Sequence, residues 1–339
     1  MRTKFKDVNG IDWFSGALMN GIWRGPLLRD VLLKAGVAIE GEAHAVFSCI
    51  QTECEDDSYY GASIELERVM DHDKFVILGL EVPSFPFCGN SSRHHVTIAN
   101  CFALLKLNGK PLSIHHGFPV RVIIPGVAGA RWVKWLDRVT VQRCESNNYY
   151  QKQDYKILPP HVETAEQAMA NWHLYPAMQL MPINSVIAIP ASSSVIVPDF
   201  EGKVTVAGYA VPHGDDGPVS KVEISLNRGK TWEETEIVLE NPTRWSWAIW
   251  RTRIDVKRLI EDDPNSKEKS KCIWSRCWDK GGNVQDGKCQ WNWRGVGYNG
   301  FGESKNMIIR LLDHTVDSAQ ELVNGVKHMK LSSPQSVSS

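Results

Sequence analysis

Residues 113–136 read SIHHGFPVRVIIPGVAGARWVKWL, and this stretch governs the reading of the rest. Cations and glycines interleave along it. His116, Arg121, Arg131 and Lys134 supply donors, while Gly117, Gly126 and Gly129 let the backbone approach a neighbour closely. Residues 118–125 (FPVRVIIP) are rich in β-branched side chains and predict a strand. Arg121 lies inside that strand among apolar neighbours. A buried guanidinium needs an anionic partner or a hydrogen-bond network. The choice is therefore between a structural arginine–carboxylate pair and an anion-binding site.

Working outward, residues 27–35 (LLRDVLLKA) carry apolar side chains at helical spacing, with Gly36 as the stop. Residues 42–49 and 75–80 read as strands, 66–70 as a helical turn, and 132–141 as strand or a short helix followed by strand. Residues 1–160 thus form a mixed α+β domain. From about residue 185 the texture changes. Runs such as VTVAGYAV and KVEISL alternate at period two between Gly, Pro, Asn and Asp turns. This pattern predicts an antiparallel β-sandwich of immunoglobulin-like type over 185–314. Residues 161–184, marked by proline and polar side chains, read as a linker, and 315–339 as a polar tail. The fold class is α+β with a second, all-β domain.

The formal net charge of the 339-residue chain is −1, so no bulk field draws in nucleic acid or an anionic membrane, and an anion site must be local. No apolar run reaches the roughly 20 residues that span a bilayer. The eight cysteines are scattered with no CxxC pair, which argues against zinc and for reduced packing thiols.

The quoted stretch closely resembles the HGFPVRV and GAR-VKWL motifs of the sulfite oxidase family, which also includes the molybdenum domain of eukaryotic nitrate reductases. GIDWFSGALMNGIWRGPLLRDVLLKAGV, YYGASIELERVMD, ESNNYYQKQDYKILPP, SLNRGKTW and WNWRGV resemble further family segments in the same order. The resemblance implies a molybdenum–pyranopterin cofactor, with no haem segment in these residues. It implies that His116 and Arg121 hold the pterin and its phosphate arm. Trp132, Val133 and Lys134 give further contacts, and Gln51 stands where the family carries an acidic residue. On the substrate side it implies Tyr60, Trp13 and Arg294. The expected reaction oxidises sulfite to sulfate, with an unassigned electron acceptor and a homodimer formed through the sandwich. Two alternatives stand beside it: the molybdenum domain of a nitrate reductase, suggested by NWHLYPAMQLMPINSVI, and a non-catalytic homologue that only dimerises.

The chain departs from the family pattern in two places. The family's metal thiolate comes from a CxGNRR motif that falls upstream of Met1, and no such motif occurs in the sequence. The chain is therefore expected to be N-terminally truncated, to lack the metal's cysteine ligand and to be inactive as it stands. Residues 82–106 (VPSFPFCGNSSRHHVTIANCFALLK) interrupt what resembles a continuous strand into the NGKPL turn. A long irregular insert there is unusual in a compact domain, and a translated intron is one origin for it.

Overall fold

The structure, a computed structural model, describes residues 5–11, 16, 18–38, 41–79, 95–97, 112–238, 243–260 and 272–310. Trp13, the 315–339 tail and all of the 82–106 segment except 95–97 lie outside the described residues.

The N-terminal half opens with strand β1 (Ile22–Arg24) and helix α1 (Leu28–Lys34). Leu28 and Leu32 of α1, one turn apart, are its buried positions, and Gly36 takes a left-handed φ of 80° just past its end. Strands β2 (His44–Cys49) and β3 (Tyr60–Glu65) follow, and β3 runs into helix α2 (Leu66–Met70). Then come β4 (Ile77–Gly79), β5 (His95–Thr97), β6 (Arg121–Ile123) and β7 (Arg138–Gln142). One sheet has the order β3-β2-β7, with Phe47 of the central strand opposite both Ala62 and Val139. Strand β4 pairs with β6, and β1 with β5, each antiparallel. Phe47, Ile64, Leu66, Val122 and Ile124 form the core beneath the sheet.

Two strand expectations need trimming. The strand predicted over 118–125 is only Arg121–Ile123, because residues before it form a turn closing on Ser113. The strand expected within 132–141 begins at Arg138. Residues Gly129–Arg131 form a 3-10 turn, and Trp135 has a left-handed φ of 51° that interrupts extension.

The connection is more ordered than a plain linker. A π-helical turn spans Tyr150–Asp154. Helix α3 (Ala165–Asn171) begins on a capping box, in which Thr164 accepts from the Gln167 N–H and the Gln167 side chain reaches back.

The second half is the expected sandwich. Its strands are β8 (Asn184–Ile189), β9 (Val195–Ile196), β10 (Lys203–Val211), β11 (Val219–Ser225), β12 (Glu233–Glu234), β13 (Glu236–Val238), β14 (Ala248–Asp255), β15 (Cys272–Asp279), β16 (Gly302–Lys305) and β17 (Ile308–Ile309). Two four-stranded antiparallel sheets, β13-β14-β10-β8 and β12-β11-β15-β16, enclose Val206, Val222, Ile224, Trp250 and Ile273. Alternating inward residues on facing sheets make this core.

A shared seam joins the halves. Asp215, between β10 and β11, accepts two hydrogen bonds from Arg68 of α2 at 2.9 Å each and one from Lys74 at 2.8 Å. Trp245 Nε1 also donates to it at 2.6 Å. Trp245 itself packs with Trp23, Leu27, Ile77 and Ile123 from the N-terminal half. At Gly126, φ 76°, a Cβ would lie 2.7 Å from the Gly214 carbonyl oxygen, so only glycine allows the chains this close.

Candidate active site

Strand β6 brings Arg121 into a pocket of backbone and rings. Its side chain is buried, and Gly79 stands opposite it in β4, where a Cβ would press on Arg121 Cγ. Nη1 donates to the His116 carbonyl at 3.0 Å and Nη2 to the Trp132 carbonyl at 3.2 Å. Trp23 and Trp132 flank the guanidinium, with centroids 5.1 and 5.9 Å away. Its Nε is buried with no hydrogen-bond partner. Among the described residues no carboxylate pairs with it; its partners there are carbonyls and rings. Burial pushes its pKa down to about 10.

Further cations gather there. Lys134 donates to the His115 carbonyl at 3.2 Å and lies over the Trp135 ring. His116 Nδ1 lies 2.6 Å from the Ser113 hydroxyl. Burial, then the Arg121 charge, lowers the pKa of both Lys134 and His116. Gly117, φ 105°, sits directly against Lys134, whose Cβ would be 2.9 Å from an added methyl. Trp132 donates its indole N–H to the Val127 carbonyl at 3.1 Å. Val133 is buried in the core, and its carbonyl accepts from Val122 N–H. The structure thus collects His116, Arg121, Trp132 and Lys134, while Val133 points into packing. Gln51 is exposed. Its backbone N–H donates to Asp137 at 3.0 Å.

Tyr60 lies at the start of β3. Its hydroxyl donates to the Ala130 carbonyl at 2.7 Å, and its ring stacks on Tyr150 at 4.6 Å. Tyr155 lies close enough to act on it electrostatically, and burial raises both phenols above the usual tyrosine range. Arg294, from the loop between β15 and β16, forms an ion pair with Asp154 and donates to Asn9 Oδ1 at 3.1 Å. Tyr60 and Arg294 therefore meet the same segment, 150–155, from different parts of the chain. Sequence reasoning counted Arg131 among the donors without giving it a role, and passed over Tyr150, Asp154 and Tyr155. The signal available for these three was the density of ionisable groups in NNYYQKQDY, residues 147–155. A separate cavity of about 380 Å³ opens beside Lys152, Lys156, Trp172 and His173, and none of the predicted site residues lines it.

Two family descriptions match the chain. Residues 1–84 and 90–150 match the oxidoreductase molybdopterin binding domain, and 175–305 match the Mo-co oxidoreductase dimerisation domain. The chain belongs to the sulfite oxidase family of molybdopterin oxidoreductases. It is 35% identical to the mitochondrial sulfite oxidase of Mus musculus over 300 residues, 87% of this chain and 47% of that protein. The human mitochondrial sulfite oxidase is 35% identical over 302 residues, covering 87% of this chain and 48% of that one. Nitrate reductase [NAD(P)H] of Hordeum vulgare is 34% identical over 309 residues, 86% of this chain and 30% of that protein. The chain thus spans about half the length, or less, of these relatives. The sulfane dehydrogenase SoxCD of Paracoccus pantotrophus shares the fold, with a TM-score of 0.56 at 23% identity, over 84% of this chain and 61% of that one.

Membership of this family implies a molybdenum–pyranopterin cofactor. The residues present fit its anionic arm: a buried guanidinium with an orphaned N–H, a lysine and a histidine share one place that holds no carboxylate among the described residues. Charge-assisted donors of this kind suit a phosphate. Among the described residues no group of three or more His, Cys, Asp or Glu side chains could hold a metal by itself.

Proposed function

We propose that the chain is the molybdenum-cofactor and dimerisation portion of an oxotransferase that converts sulfite to sulfate. The observation that carries this reading is Arg121, buried between two tryptophans with one N–H unused and no counter-anion among the described residues. His116, Arg121 and Lys134 hold the phosphate arm, and the rings of Trp23 and Trp132 exclude water around it. The bound group supplies two-electron oxygen-atom transfer; the protein supplies placement. Arg294 binds the substrate oxyanion. Binding there exchanges the Asp154 carboxylate for another anion, so the guanidinium is never left bare. Tyr60 and its neighbour Tyr155 stay protonated at neutral pH, and Tyr60 turns its hydroxyl from the Ala130 carbonyl to an oxygen of that anion. The sandwich pairs two copies into a homodimer.

The metal's thiolate is proposed to come from a CxGNRR segment, which this sequence does not contain. The chain alone is then a phosphate-binding scaffold without turnover. The test compares it with a version joined to such a segment, after incubation with molybdenum cofactor, by metal content and by sulfite and nitrate assays. Metal retention and sulfite oxidation only in the joined protein are expected. Nitrate reduction in its place selects the nitrate reductase reading. Sulfite turnover by the chain alone overturns the need for that cysteine. A dimer in which neither version retains metal favours a non-catalytic role.

A further inference from the structure

Arg131 belongs to no role described so far. Its side chain is completely buried, and no carboxylate pairs with it among the described residues. Nε donates to the Met178 carbonyl at 3.1 Å, Nη1 to the Tyr150 carbonyl at 2.9 Å and Nη2 to the Tyr155 carbonyl at 3.5 Å. Those carbonyls belong to the π-helical turn, its end and the segment leading into the sandwich. The guanidinium also lies over the Tyr155 ring, 5.7 Å from its centroid. The residue before it, Ala130, accepts the Tyr60 hydroxyl.

A carbonyl cage neutralises no charge. Burying a guanidinium in one is costly, and an aliphatic side chain would pack the same space more cheaply. The charge is left to act on the groups around it. Tyr60 is faced by Arg131, Tyr150 and Tyr155, and Tyr155 by Arg131, Tyr60 and Tyr150. Glu145 and Glu65 are the carboxylates that act on Arg131 from further off. The Tyr155 ring, 5.7 Å from the guanidinium, is thus a polarisable group that this charge meets.

We propose that Arg131 is a positioning residue for the Tyr60–Tyr155 phenol pair, fixing it through the backbone and supplying the permanent charge that polarises its hydroxyls toward a bound oxyanion. The proposal rests on the reading of Tyr60 as a substrate-side group. Burial makes both phenols reluctant to ionise, and Arg131 opposes that effect in each. A phenol polarised in this way is a stronger donor to a developing anion than burial alone would leave it.

The experiment places a fluorinated tyrosine at position 155 of the full chain, which brings the phenol within reach of titration, and follows its fluorine resonance against pH. The Arg131 charge over the Tyr155 ring holds the phenol down against burial. Arg131→Gln should raise the midpoint. Arg131→Lys, which keeps the charge and loses carbonyl contacts, should stay near the parent value. Equal shifts in both variants would overturn the proposal, because contacts and not charge would then set the phenol. If Arg131→Gln does not fold, the unsubstituted chain decides. The Arg131 guanidinium carbon should titrate with the midpoint of the fluorinated ring, and an unmoved resonance refutes the coupling. None of these readings needs metal or turnover, so a failed sulfite assay leaves this test standing.

Discussion

Replacing Arg121 with methionine should make the cofactor-free protein slightly more stable and nearly abolish its hold on phosphate. Depression of the guanidinium from its usual 12.5 to about 10 is about 2.5 units. At about 1.4 kcal/mol per unit this places a penalty of about 3.5 kcal/mol on the buried charge. Methionine removes that penalty and keeps similar length between Trp23 and Trp132. It also forfeits the bonds to the His116 and Trp132 carbonyls, about 1 kcal/mol each. The net expectation is a gain of about 1.5 kcal/mol, read as a higher urea midpoint at unchanged slope. The parent's penalty has a signature in pH. Its folded pKa lies below the unfolded one, so the unfolded chain binds more protons between about pH 10 and the unfolded value, and stability should rise there as pH rises. Arg121→Met should flatten that rise. Added inorganic phosphate should raise the parent's midpoint and leave the variant's unmoved. A loss of more than about 2 kcal/mol in phosphate-free buffer would refute the reasoning and make Arg121 a structural pin.

Gly117→Ala puts a methyl 2.9 Å from Lys134 Cβ at φ 105°, and should cost about 1–3 kcal/mol while weakening phosphate binding, both measurable in the same urea titrations. Asp215→Asn leaves Arg68 and Lys74 facing a neutral amide and should cost about 3 kcal/mol by chemical denaturation. Against burial, hydrogen bonds from Arg68, Lys74 and Trp245 hold the Asp215 carboxyl well below the usual carboxylate range. Its folded pKa is depressed, so its contribution is complete above about pH 4 and is lost as pH falls further. Asp215→Asn should weaken that acid sensitivity. Tyr60→Phe in a metal-loaded, cysteine-bearing version should retain molybdenum and lower sulfite turnover by about 10–100-fold, checked by steady-state kinetics. Unchanged turnover would move the substrate role to a neighbouring phenol.

What could be read in the sequence followed periodicity. VTVAGYAV alternates cleanly and became β10, whose inward residues Val204 and Val206 lie in the sandwich core. LLRDVLLKA gave α1 almost to its ends. The strand drawn through FPVRVIIP was too long, because composition cannot see that β6 has a three-residue partner, β4. Helix α3 was hidden in a supposed linker, although Thr164 and Gln167 spelled its start. The cation cluster was legible as spacing, but the role of each cation was not. Arg121 and Arg131 look alike in sequence, yet one keeps an unused N–H among rings and the other is enclosed by carbonyls. That difference depends on segments far along the chain, at Trp23, Tyr150 and Met178.

The seam at Asp215 and Trp245 has a consequence for how such a protein can be divided. A tryptophan from the sandwich completes the core of the other half, and a carboxylate from the sandwich neutralises two of its cations. Cut between them, each piece would carry a wound: an indole bared to water on one, two unmatched charges and an open socket on the other. The halves therefore do not behave as interchangeable parts. Grafting this sandwich onto a foreign partner would require rebuilding the socket too, so the two are expected to be inherited as a pair.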